Sequence, residues 1–124
     1  MAIGLTTAVK NARLSAIATA AGASPKIRIY SGTRPTTGGA ETAILAELTM
    51  PTTPFGTPAN GIMNANAIPS ANAKATGTAT WFRLLAGTTP VMDGSVGEDL
   101  ALNATAISSG QLINITSFTV TEGN

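Results

Sequence analysis

The chain has 124 residues, seven basic and six acidic side chains, a net charge of +1, and neither cysteine nor histidine. Without those two residue types there are no disulfides, no soft metal ligands and no Ser–His–Asp or Cys–His catalysis. Seven cations spread from Lys10 to Arg83 do not make the basic field that nucleic acid demands, so no nucleic-acid partner is expected.

The apolar fraction is 44%, but much of it is alanine, and the large side chains are few: one Trp, one Tyr, three Phe and four Met. The length favours a single domain, residues 1–124, able to bury roughly two-thirds of its extended surface. Alanine removes little area from water, so a thin core is expected, in a chain that gains stability from partners. A nearly neutral surface of Thr, Ser and Asn is cheap to desolvate and suits protein–protein contact. Lys10 and Arg13 interrupt the apolar stretch a signal peptide needs, and no run approaches the roughly 18 apolar residues of a membrane helix. The expectation is a cytosol-assembled chain with no membrane partner.

The first 24 residues read as a helix or arm. Thr6 or Thr7 can cap it, and Gly22 followed by Pro25 ends it. Leu5, Val9, Ala12 and Ala16 share one face, while Leu14 and Ile17 fall away from it. Two readings stay open: an ordinary helix packed on a sheet, or an arm with two adhesive sides.

From residue 25 the pattern turns to period two. Residues 26–31 alternate, with Ile27 and Ile29 inward and Lys26, Arg28 and Tyr30 outward. GTRPTTGG, residues 32–39, is a turn-rich loop. Residues 44–50 alternate again, with Ile44, Ala46, Leu48 and Met50 on one face. Residues 51–74 hold Pro51, Pro54, Pro58 and Pro69, so this irregular segment carries edge strands at most. A loop that long is often either disordered or a binding element.

Residues 75–86 read as one strong strand. Thr76, Thr78, Thr80, Phe82 and Leu84 lie on one face, and Ala75, Gly77, Ala79 and Trp81 on the other. The small residues allow the helix or an opposed sheet to approach closely, and Trp81 is read as core. Asp93-Gly94 is a hairpin-type turn signal. Residues 99–103 alternate around Leu100 and Leu102. The last strand, 111–121, changes phase between Ile113/Ile115 and Phe118/Val120, which predicts a bulge near Ser117. Seven or so short strands with regular turns predict a mainly β protein, a β-sandwich or jelly roll over 25–124, with one N-terminal α-helix.

Chemistry is hard to place on this chain. Glu98 and Asp99 are neighbours and would point to opposite faces of a strand. Asp93, Glu98 and Asp99 match no calcium loop. No phosphate-binding loop is present, and nothing pairs two carboxylates across a cleft at the roughly 5–10 Å that glycoside hydrolysis needs. Asn103-Ala-Thr and Asn114-Ile-Thr match glycosylation acceptors, read here as chance in an Asn/Thr-rich chain. No catalytic residue, metal or cofactor is expected, and the chain is read as a non-enzyme. Three side chains stand out for interfaces, where Tyr and Arg are favoured: Tyr30, Arg34 and Arg83. Arg34 could meet a partner carboxylate or simply be solvated. Arg83 could serve an interface, or be an exposed strand charge or half of an internal salt bridge.

Four segments taken together carry a resemblance: KNARLSAI, KIRIYSGTRPTTGG, ATGTATWFRLLAG, and the closing DGSVG, DLALN and ISSGQLINITSFTVTEGN. In order and spacing they resemble small structural proteins of tailed bacteriophages, most of all the capsid decoration, or cement, proteins. The likeness covers most of the chain outside the Pro/Asn-rich middle. It implies a jelly-roll or sandwich module on the outer surface of the virion shell, assembled in the bacterial cytoplasm. It also implies self-association as a dimer or trimer, and a partner in the phage major capsid protein, whose subunits it bridges. Two alternatives remain: a tail or fibre-base β module, and a carbohydrate-binding module using Trp81 or Tyr30.

Overall fold

A computed structural model describes residues 4–121. It is mainly β, with several sheets and one N-terminal helix.

Helix α1 spans Thr7–Ala21. The Thr6 side chain accepts from the Val9 N–H, and Gly22, at φ 70, ends the helix while its N–H reaches the Ala18 carbonyl. Both ends fall where the capping residues place them. The buried face does not. Leu14 is buried, with Ile17, Ala18 and Ala21 beside it, whereas Val9 is 44% exposed. Leu14 is much the larger apolar side chain, so turning it inward removes more area from water than a stripe of alanines would.

Strands β1 (Lys26–Tyr30), β2 (Ile44–Thr49), β6 (Trp81–Ala86) and β7 (Thr89–Ser95) form an antiparallel sheet in the order β2-β1-β6-β7. A second sheet pairs β3 (Ile62–Asn64), β11 (Ile115–Thr121) and β8 (Leu100–Leu102) in the order β3-β11-β8. Two short ribbons complete the set: β4 (Ala71–Asn72) with β10 (Leu112–Ile113), and β5 (Gly77–Thr78) with β9 (Ala106–Ile107).

Period two holds along β1, where Ile27 and Ile29 enter the core. In β2 the register slips between Ile29 and Tyr30, so Leu45 is the extra residue and is buried along with Ala46. The bulge expected near Ser117 is present, between Ile115 and Ser117. Segment 51–74 is irregular as expected, yet it contributes Phe55, Met63 and Ala73 to the core. Phe82 of the first sheet meets Phe118 of the second edge to face at 5.3 Å, and Phe55 meets Phe118 at 5.7 Å. These rings share one apolar cluster with Leu14, Leu84, Leu100 and Ile113.

Three further expectations fail. Residues 111–121 divide between β10, which pairs with β4, and β11, which pairs with β3 and β8. Residues 75–86 are not one strand. The chain turns a corner at Ala79 and Thr80: β5 pairs with β9, whereas β6 pairs with β1 and β7. The close approach at Gly77 comes from β2, since a Cβ there would lie 2.9 Å from Leu45 Cδ2. Asp93-Gly94 is not a turn either. It sits inside β7, opposite Arg83 and Phe82. Gly94 is needed there because a Cβ would come within 2.5 Å of the Phe82 ring. The hairpin instead turns at Gly87, at φ 65.

Candidate interaction surface

The two faces of the four-stranded sheet differ in chemistry. One carries Ile27, Ile29, Ala46, Leu48, Phe82 and Leu84 into the core. The cross-strand register puts a charged row on the other: Glu47 beside Arg28, Arg28 beside Arg83, and Arg83 beside Asp93. The next row sets Tyr30 beside Trp81. The two rings stack at 4.0 Å with their planes 11° apart. The Arg83 guanidinium lies 5.2 Å from the Trp81 ring centre, within cation–π range.

Two arginines directly opposite each other would repel. Each is neutralised from its outer side. Arg83 Nε donates to Asp93 Oδ1 at 2.7 Å and its Nη2 to Oδ2 at 3.0 Å, a bidentate pair. Arg28 Nε donates to Glu47 Oε2 at 2.7 Å, and its Nη1 to Glu41 Oε1.

Residues 31–43 fold back over this face. The loop is closed at its root, where the Ser31 N–H donates to the Ala43 carbonyl at 3.0 Å. Outer-face side chains then hold it along its length. The Tyr30 hydroxyl donates to Glu41 Oε1 at 2.7 Å, and Trp81 Nε1 to Thr42 Oγ1 at 2.8 Å. Arg83 Nη2 donates to the Gly39 carbonyl at 2.8 Å, and the Gly38 N–H donates to Asp93 Oδ2 at 2.9 Å. Thr80 Oγ1 donates to the Gly32 carbonyl at 2.6 Å. Among the described residues no buried side-chain nitrogen or oxygen lacks a partner.

The protonation states follow from these contacts. Burial would push the Asp93 carboxyl up, but Arg83 and the Gly38 N–H hold it below its ordinary value. Glu41 is lowered by the Tyr30 hydroxyl and Arg28, and Glu47 by Arg28. Burial and the neighbouring Glu41 push the Tyr30 phenol up. All three carboxylates are therefore ionised at neutral pH, so none is tuned as a proton donor.

Two of the three residues singled out for exposure are not exposed. Tyr30 has no accessible surface and Arg83 is 2% exposed. Residues 31–43 cover both, which a strand pattern read alone cannot reveal. Arg83 is half of an internal salt bridge, one of the readings left open for it. Trp81 is fully buried. Only Arg34 reaches solvent, on the pinned loop with Thr33, Thr36 and Thr37. It has no hydrogen-bond or ion-pair partner among the described residues. Besides Tyr30, Trp81 and Arg83, its loop is fixed by Arg28, Glu41, Thr42 and Asp93, with Glu47 holding Arg28, and none of these five is among the interface candidates. The polar phase of the alternating strands was a signal for Arg28 and Glu47 only.

A pocket of about 80 Å³ lies between residues 65–68 and 115–118, beside the Ile115–Ser117 register shift. It falls well below the roughly 300–1,000 Å³ of small-molecule sites. Among the described residues no group of three or more acidic side chains could hold a metal ion, and no helix is long and apolar enough to cross a membrane. No family profile, curated protein or solved structure matches the chain.

Proposed function

We propose that the chain is a non-enzymatic virion structural protein that binds the outside of a phage capsid and stabilises the shell by bridging major capsid protein subunits. In this reading it is a β-sandwich of jelly-roll type, self-associated as a dimer or trimer, and carried on the outer surface of the virion. The observation that supports it is the pinned loop 31–43. A loop held by outer-face side chains from three strands, two of which bond its backbone at Gly38 and Gly39, has little freedom left to lose on docking. It presents Arg34 and threonines on a nearly neutral surface that is cheap to desolvate. Many copies on a lattice make such modest contacts act together.

The test is direct. Purified protein is mixed with expanded empty shells, and the bound copies are counted by gel densitometry. Saturation near the number of shell subunits is the expected result, with particles that resist heat better than bare ones. Absence of binding removes the proposal. A copy number far below that of the shell subunits favours the second reading, a tail or fibre-base module, which the same loop would also serve. A carbohydrate-binding role loses support, because Tyr30 and Trp81 stack on each other beneath the loop with no surface left for a sugar ring.

A further inference from the structure

Asn60-Gly61 is the only Asn-Gly pair in the sequence. It forms a two-residue turn at the start of β3. The Ala59 N–H donates to the Ile62 carbonyl and the Ile62 N–H returns the bond to Ala59, both at 2.9 Å. Asn60 at φ 54 and Gly61 at φ 72 give the left-handed pair that such hairpin turns require. Asn60 is exposed, and its side-chain amide has no hydrogen-bond partner among the described residues. Gly61 is buried, and its N–H donates to Asn11 Oδ1 of helix α1 at 3.0 Å.

We propose that Asn60-Gly61 is a latent self-modifying site, and that Asn11 is the residue that holds it off. The chemistry needs no partner but water. The Gly61 nitrogen gives up its proton and attacks Asn60 Cγ. A ring N–C bond forms, the bond from Cγ to the side-chain nitrogen breaks, and ammonia leaves. Water then opens the succinimide at either carbonyl, giving aspartate or isoaspartate. Glycine favours the attack because it has no side chain to obstruct ring closure.

Two features oppose the attack in the folded chain. The nucleophilic nitrogen is buried from the hydroxide that would deprotonate it, and its proton is held by Asn11. The Asn11 bond depends on α1 lying against β3, which it does. Undocking of the helix therefore frees the nitrogen and starts the reaction. Isoaspartate adds a carbon to the backbone of the turn and either product adds a negative charge, so the helix would not return to the same seat. A transient loss of helix docking becomes a permanent covalent mark.

The experiment uses the whole chain at mildly alkaline pH, native and in urea. Peptide mass spectrometry follows conversion at residue 60, and isoaspartyl methyltransferase labelling identifies the product. Native protein should convert more slowly than the unfolded chain, and equal rates would overturn the proposal. N11A, with its folded state checked by circular dichroism, should convert about fivefold faster than wild type, the scale of one net hydrogen bond. A native N11A rate no higher than wild type overturns the role of Asn11. N11D keeps the acceptor oxygen and should stay slow, and a fast N11D overturns that role as well. N60Q should abolish the early product, and Asn64, Asn66 and Asn72, each followed by a bulkier residue, serve as internal controls.

Discussion

The inner and outer faces of the four-stranded sheet are both buried over much of their area, but by different physics. The inner face is aliphatic and aromatic, and many neighbouring side chains share the job of excluding water. Truncation there leaves a cavity that the surroundings can partly fill. The outer face is held by a few directional bonds: a bidentate Arg83–Asp93 pair, an indole N–H on Thr42, and a phenol on Glu41. Each of those groups is costly to leave unpaired, so the outer face concentrates its risk in few residues. The lesson is that the polar phase of an alternating strand can be a second interior when a loop closes over it.

Substitutions on each face and a change of pH would break or sharpen this contrast. The largest effect is expected for Asp93→Ala, which leaves Arg83 buried without a counter-charge and removes the Gly38 acceptor. Urea unfolding should show a loss of about 3–5 kcal/mol. Replacing both members, Arg83→Leu with Asp93→Leu, should cost clearly less than the two single changes added together.

Gly94→Ala comes next and tests the inner face at the same strand. Its Cβ meets the Phe82 ring, which is itself wedged against Phe118, so overpacking should cost about 1–3 kcal/mol. Thr42→Val keeps the shape but removes the acceptor of the Trp81 indole. A loss near 1–2 kcal/mol is expected, together with a change in Trp fluorescence as loop 31–43 loosens.

Acid should act on the outer face first. Asp93, Glu41 and Glu47 have folded values below their unfolded ones. The unfolded chain therefore binds more protons, and stability rises with pH through that window. Their contribution is present above about pH 4–5, the unfolded carboxylate range, and is lost progressively as pH falls through the lower folded values. A pH series of unfolding midpoints should show this loss, and Asp93→Asn should flatten it. Arg34→Ala has the smallest expected effect on stability, within about 0.5 kcal/mol, because the side chain is exposed and makes no hydrogen bond or ion pair among the described residues. If the proposed function is right, the same change weakens binding to shells, which sedimentation would read.

Some features were legible from local residues alone. Thr6 and Gly22 bound the helix because a side-chain oxygen and a left-handed glycine satisfy its free ends wherever they occur. The inward phase of Ile27 and Ile29 in β1 and the slip near Ser117 follow from the two-residue repeat of a strand. The absence of histidine and cysteine needs no fold to be meaningful.

Other features were decided only by tertiary structure. The helix turned Leu14 inward against its alanine stripe because the sheet offered a place to bury the larger side chain. Asp93-Gly94 has the composition of a turn, yet Arg83 claimed the carboxylate and Phe82 the space above the glycine. Tyr30 and Arg83 lie in a phase that points to solvent on an isolated strand, and Trp81, read as core, shares their face of the sheet. They are covered because Gly38 meets Asp93 across a separation of 55 residues, and Thr42 meets Trp81 across 39. Local sterics set what each segment can become. Contacts between residues so distant in sequence exist only after the chain has closed on itself, and those contacts settled which faces are buried.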